Sequence, residues 1–93
     1  MNESTKALVY FLAAECLTNI ARHSGATMAT VAVTLGGRVR IEIVDNGHGG
    51  ATTTSGRGLQ GLADRVLLVG GRFTIDSPPG GPTLIIAELS DNA

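Results

Sequence analysis

Aromatic side chains are nearly missing from this 93-residue sequence: it has no tryptophan, and Tyr10, Phe11 and Phe73 are its only aromatic residues of the Phe, Tyr and Trp class. A core must therefore come from Leu, Ile, Val and Ala, and base stacking on an aromatic platform is a poor way for this chain to hold nucleic acid. Positive charge is not in excess either. Seven Lys and Arg stand against eight Asp and Glu, for a formal charge of −1, whereas duplex binding needs a concentrated basic surface. Cys16 is the single cysteine, which rules out an internal disulfide or a cysteine-rich zinc site and fits a reducing compartment. Between Glu15 and Leu17, in an apolar helical pattern, it reads as a small buried hydrophobe rather than a nucleophile. No apolar run approaches the roughly 20 residues that span a bilayer, and the N-terminus lacks the basic-then-apolar organisation of a signal peptide. One small globular domain in the cytoplasm is expected, whatever anchors the parent protein.

What is present falls into seven segments. Residues from about Ser4 to His23 read as a helix, capped by Ser4 or Thr5 and ended by Gly25. Ala7, Phe11, Ala14, Leu17 and Ala21 recur along it at spacings of three and four, as a core-facing stripe would. Glu15, Asn19, Arg22 and His23 form a second, polar stripe, the pattern of a helix that lines a cleft. Met28 to Leu35 and Arg38 to Val44 alternate as strands around the hairpin signal Gly36-Gly37. The segment from Asp45 to about Arg57 (DNGHGGATTTSGR) follows neither period and reads as a loop. Leu59 to Val69 has helical spacing and stops at Gly70-Gly71. Arg72 to Asp76 and Thr83 to Leu89 read as strands around the turn SPPGGP. Two strand pairs, each preceded by a helix, predict a two-layer α/β sandwich with helices on one face of a mixed sheet.

Three segments carry residue types suited to chemistry, and each has a plainer reading. Gly56-Arg57-Gly58-Leu59-Gln60-Gly61 matches G-x-G-x-x-G, but Ala51 to Ser55 precede it instead of a strand, so the dinucleotide-binding context fails. No Gly-Lys-Ser/Thr occurs, which removes the P-loop alternative. What remains is a glycine loop opening a helix, either a phosphate cradle of backbone N–H groups or a simple connection. Asp45-Asn46-Gly47-His48-Gly49-Gly50 follows a strand. A carboxylate there is able to accept from an exocyclic amine while glycines admit a flat ring, yet Asp-Asn-Gly is also good turn chemistry. On the helix, Glu15 has the chemistry of a general base, Asn19 offers a hard oxygen ligand to Mg²⁺, and Arg22 and His23 suit phosphate charge. The plain alternative is a solvated helix face with Arg22 near the dipole's negative end. His23 and His48 have no partner ligands in the sequence that would make a metal site.

Together the three segments resemble the ATPase domain of the GHKL superfamily (gyrase, Hsp90, histidine kinase and MutL proteins). Glu15-Cys16-Leu17-Thr18-Asn19-Ile20-Ala21-Arg22-His23 is similar to the N box of histidine kinases, Asp45-Asn46-Gly47-His48-Gly49 to the D-x-G-x-G box, and Gly56-Arg57-Gly58-Leu59 to the second glycine box. Gly61 to Val66, Gly70-Gly71, Gly80 to Thr83 and the short lid from Gly50 to Gly56 resemble the NarL/DesK-type branch. The resemblance covers about Leu8 to Leu89. It implies the Bergerat α/β sandwich, ATP and Mg²⁺ as ligands, and transfer of the γ-phosphoryl group to a histidine. By it, Asp45 would bind the adenine amine, Gly47 and Gly49 would give the ring room, and Thr83 would support the same contact through a water. Asn19 would hold Mg²⁺, with Arg22 and His23 near the phosphates. The backbone of Gly56, Arg57, Gly58 and Leu59 would hold the triphosphate, and Glu15 would be the catalytic or water-ordering carboxylate. Pro82 stands where the branch has glycine, and little of the family's usual helix and strand precedes the N box, which implies an N-terminally truncated domain.

The partners implied are the phosphoacceptor-histidine helical domain of the parent kinase and a downstream response regulator, with no nucleic acid and a monomeric isolated domain. Autophosphorylation is not expected of the chain by itself, because in-line transfer needs the target nitrogen positioned by that other domain. A serine kinase of the anti-sigma type with the same fold is the nearest rival, and a non-catalytic interaction domain that no longer binds nucleotide is the rival of another class.

Overall fold

The computed structural model describes residues 1–50 and 58–90. The helix α1 (Glu3–His23) begins at Asn2, whose side chain accepts from the Thr5 N–H at 2.8 Å, and ends at Ser24. The cap is thus Asn2, not Ser4 or Thr5. Asn and Ser serve equally well there, so composition alone does not choose between them. After it come β1 (Ala29–Leu35), β2 (Arg38–Asp45), α2 (Leu59–Leu68), β3 (Arg72–Asp76) and β4 (Thr83–Ser90).

The four strands form one sheet in the order β1-β2-β4-β3. Every hydrogen-bonded pair in it is antiparallel, where a mixed sheet was expected. The reason is topological. The β2-α2-β3 unit does bring β2 and β3 into the same direction, but β4 returns between them and pairs with both. Val39, Ile41 and Ile43 of β2 stand opposite Leu89, Ala87 and Ile85 of β4 and bury one face of the sheet. Leu12, Cys16 and Ile20 of α1 and Leu59, Leu62 and Val66 of α2 close over that face in a single cluster. The Arg65 guanidinium lies 4.4 Å from the Phe11 ring centroid and ties the two helices together above the core. On the opposite face Arg40 bridges Glu42 at 2.6 Å and Glu88 at 3.8 Å, a charged cluster facing water.

The helical core stripe differs from the one expected. Leu12, Cys16 and Ile20 are buried, whereas Leu17 and Ala21 face outward. Small alanines all round α1 blur its amphipathicity, so spacing admits several stripes and tertiary contact selects one. Consequently Leu12→Ala, at a site 1% exposed, should cost about 2–5 kcal/mol in denaturant unfolding. Leu17→Ala, at a site 41% exposed, should cost less than about 1 kcal/mol.

Cys16 is buried as expected, and burial, aided by the neighbouring Glu15 charge, pushes its thiol pKa up to about 12. The thiolate is the reactive form. Alkylation at pH 8 is therefore expected to run at least about 100-fold slower in the native chain than in urea. Comparable rates in the two states would show that the α1 side of the core is open.

Candidate functional site

β2 ends in Asp45, whose side chain points to the helix-covered face and is only 3% exposed. The alternation that buries Val39, Ile41 and Ile43 continues one step further and forces a carboxylate into the same layer. Its Oδ1 accepts from the Gly47 N–H at 2.7 Å, which closes the turn on itself. Among the described residues no cation pairs with Asp45. A buried carboxylate has several acceptor positions, so this one retains capacity to take a donor from a ligand.

The rest of the turn is clamped from both sides. His48 N–H donates to the Ser24 carbonyl at 3.0 Å, joining it to the end of α1. The Gly80 N–H donates to the His48 carbonyl at 2.7 Å and the Gly50 N–H to the Ser77 carbonyl at 2.9 Å, joining it to the β3-β4 turn. Asn46 points the other way: its Oδ1 accepts from the N–H groups of Thr27 and Met28, and its Nδ2 donates to the Thr27 hydroxyl.

This packing gives Gly47 and Gly49 a reason of their own. A Cβ on Gly47 would sit 2.4 Å from the Ser24 carbonyl oxygen, and one on Gly49 would lie 1.9 Å from that of Pro78. Backbone packing by itself requires these glycines. Gly81 belongs to the same contact, since its Cβ would fall 2.0 Å from the Gly47 oxygen.

Across the sheet Thr83 pairs with Asp45 and is likewise buried. Its hydroxyl lies 2.6 Å from that of Ser77. Asp45, Thr83, Gly49, Asn19 and Leu59 border one narrow recess, floored by Cys16, Ile20 and Ile85. Asn19 also lines a second, more polar cleft of about 250 Å³ with Glu15, Thr18, Arg22 and His23. The helix stripe and the strand-end carboxylate thus lie on one side of the molecule, joined through Asn19.

Gly58 precedes α2 in the left-handed region at φ 80° and gives the helix no side-chain cap. Leu59, the first residue of α2, lines the recess, so the N-terminus of that helix lies beside it. Gly56 and Arg57 lie outside the described residues. Among those described, no cluster of three or more His, Cys, Asp or Glu suits a metal ion. No described helix is long and apolar enough to cross a membrane.

Sequence reasoning did not find Ser24, Asn46 or Ser77. Ser24 donates its hydroxyl to the Ile20 carbonyl and accepts from the Ala26 N–H while lining the recess. A Ser beside a glycine at a helix end was the available signal; for Ser77 there was none, because its partner is on another strand. The clamp makes a stability prediction. Gly49→Ala should cost more than about 2 kcal/mol, for it combines φ +72° with a backbone clash. Gly50→Ala, at φ +80° with open space around it, should cost about 1–2 kcal/mol from the backbone alone. Equal costs in thermal unfolding would contradict the packing described.

No protein-family model matches the sequence. The sensor histidine kinase MctS of Rhizobium johnstonii is 35% identical over 89 residues, which cover 88% of this chain and 19% of that protein. The chain therefore spans about a fifth of its curated relative. The histidine kinase AdeS of Acinetobacter baumannii superposes with a TM-score of 0.71 at 19% identity, over 88% of this chain and 45% of the other. The blue-light activated histidine kinase EL346 of Erythrobacter litoralis superposes with a TM-score of 0.70 at 19% identity, over 94% of this chain and 30% of that one. The chain is homologous to part of a sensor histidine kinase and has the α/β fold of solved histidine kinases.

Proposed function

We propose that this chain is the ATP-binding catalytic part of a two-component sensor histidine kinase of the GHKL type, with NarL/DesK-like features. One observation carries the reading: Asn19, Asp45, Gly49, Leu59 and Thr83 come from four separate segments and meet at one recess. A buried carboxylate without a cation partner among the described residues, beside a hydroxyl, suits an aminopurine: Asp45 accepts from its exocyclic amine. Thr83, held by Ser77, supports that contact through a water. At the other end the N-terminal N–H groups of α2, which Gly58 has no side chain to cap, and the positive end of the helix dipole suit phosphate oxygens. Arg22 and His23 stand at the end of the polar cleft and supply positive charge.

Mg²⁺ suits this donor set even without a carboxylate cluster. It keeps most of its water and takes ligands from the nucleotide's own phosphates, so the single amide oxygen of Asn19 is a sufficient protein contribution. When bound, the ion neutralises phosphate charge. Glu15 is exposed in the same cleft and orients the attacking group or accepts its proton. In the parent, an imidazole nitrogen of a helical dimerisation domain forms the N–P bond as the γ-phosphorus parts from the bridging oxygen, and ADP leaves. A response regulator then takes the phosphoryl group. The cytoplasm, where ATP and the regulator reside, is the place for this chemistry.

Calorimetric titration with a non-hydrolysable ATP analogue and Mg²⁺ tests the reading. The native chain should bind and Asp45→Asn should lose most of the affinity, while Glu15→Ala should bind normally and abolish phosphorylation only in the full-length kinase. The absence of binding heat and of any thermal shift in the native chain would instead favour a non-catalytic interaction domain. Phosphoserine on a partner, with no phosphohistidine on the parent, would favour the serine-kinase alternative.

A further inference from the structure

The inner face of the sheet is built in rows that cross three strands. Ile41 of β2, Ala87 of β4 and Phe73 of β3 make one row, and Ile43, Ile85 and Ile75 make the next. One alternation further along, Asp45 stands opposite Thr83. The β3-β4 register, continued one step past Asp76 and Leu84, sets Ser77 on the other side of Thr83. The two hydroxyls do meet there, at 2.6 Å. The apolar rows thus end in a polar one: a carboxylate, a hydroxyl and a second hydroxyl, with Asp45 and Thr83 buried and lining the recess.

Ser77 is also held through its backbone. Its carbonyl accepts from the Gly50 N–H at 2.9 Å, which ties it to the turn that carries Asp45. It reaches the recess through Thr83. We infer that Ser77 is a positioning residue for the base of a bound adenine nucleotide: its hydroxyl donates to Thr83 and so leaves the Thr83 proton for the recess. Heavy-atom positions allow either hydroxyl to be the donor, and the neighbouring carboxylate decides between them. Opposite Cβ atoms on an antiparallel ladder lie about 5 Å apart, and hydroxyl dipoles orient in the local field. The Thr83 proton turns toward the Asp45 side, and the proton of the Thr83–Ser77 bond is supplied by Ser77.

That direction has a consequence for recognition. The row presents an acceptor, Asp45, and beside it a donor, the Thr83 O–H. The matching edge of an aminopurine has the reverse order, an exocyclic amine that donates and the ring nitrogen N1 that accepts. A water between Thr83 and N1 preserves the direction, since it accepts from one and donates to the other. Were Thr83 to give its proton to Ser77, the row would offer acceptors alone and N1 would meet no donor. An oxopurine, with a carbonyl oxygen and an N1–H, carries the opposite pattern. Ser77 therefore sharpens selection of the base without touching it. The inference rests on the adenine-nucleotide reading of the recess and adds a residue to it.

Calorimetric titration of the chain with Mg²⁺ and either ADP or 1-deaza-ADP, which keeps the amine and replaces N1 by CH, isolates this contact. The native chain should bind ADP more tightly by roughly 3- to 10-fold, the span of one hydrogen bond. Ser77→Ala should erase that ratio by weakening ADP alone, and Ser77→Thr should restore it. Thr83→Val should erase it too, and adding Ser77→Ala to Thr83→Val should change the ratio no further. If Ser77→Ala does not fold, Ser77→Cys, whose thiol is a weak donor, takes its place in the comparison. A Ser77 variant that weakens both nucleotides alike overturns the inference and leaves the nucleotide reading standing, as does a native chain that binds the two equally. A native chain that binds neither sinks that reading, and the role of Ser77 with it.

Discussion

The turn from Asp45 to Gly50 is wedged between two other pieces of backbone, the end of α1 at Ser24 and the β3-β4 turn at residues 77–81. Backbone makes most of the contact. Carbonyl and N–H groups of Ser24, His48, Ser77 and Gly80 meet directly, and glycines at 47, 49 and 81 are what lets them do so. Because this wedge joins α1, β2 and β4, it decides where Asn19, Asp45 and Thr83 stand relative to one another. A methyl group at any of the three glycines would push apart the elements that border the recess. The site's geometry is thus set by backbone packing that exists before any ligand arrives, which is the form of preorganisation that spares binding energy.

The position of the carboxylate follows from the same economy. β2 alternates strictly, so the residue after Ile43 on the inner face has to be Asp45. A charged group in that layer is costly unless satisfied, and the Gly47 N–H supplies one hydrogen bond. Asp45 also lines the recess, and its remaining acceptor positions are open to a donor. Thr83, its partner across the ladder, has its hydroxyl held by Ser77, so both polar groups at this end have restricted orientations. Beyond Asn19, the neighbouring cleft carries the exposed Arg22 and His23 together with Glu15.

The helices cover the sheet unevenly. α2 and the Leu12, Cys16 and Ile20 flank of α1 shield β3, β4 and β2, while Val31, Val33 and Leu35 on the inward face of β1 stay partly exposed. The recess occupies the C-terminal end of β2, and an apolar trough lined by Leu17, Ala21, Ala26, Met28 and Ala29 lies beside the start of β1, with Ile20 touching both. One helix therefore contributes its Cys16–Asn19 flank to the recess and its Leu17–Ala21 flank to the trough.

Much of the site was readable from sequence because it rests on local chemistry. Asp after an alternating strand, glycines at fixed offsets and a polar stripe at helical spacing each reflect the periods of 2 and 3.6. The segment order predicted the two-layer α/β sandwich, and the histidine-kinase relatives share that fold. What the linear order left open was pairing and contact. Which apolar stripe of α1 faces the sheet depended on where β2 and β4 lay, so Leu12, Cys16 and Ile20 won over Leu17 and Ala21. The insertion of β4 between β2 and β3 turned an expected mixed sheet into an antiparallel one. Asn46 and the Ser24 carbonyl acquired roles through partners on distant segments, Thr27 and Met28 for the one and His48 for the other, at separations no periodicity encodes. Periodic side-chain patterns and glycine spacing are properties of one chain segment and appear in its sequence; burial, strand order and cross-segment hydrogen bonds are properties of pairs of segments, and only the folded structure decides them.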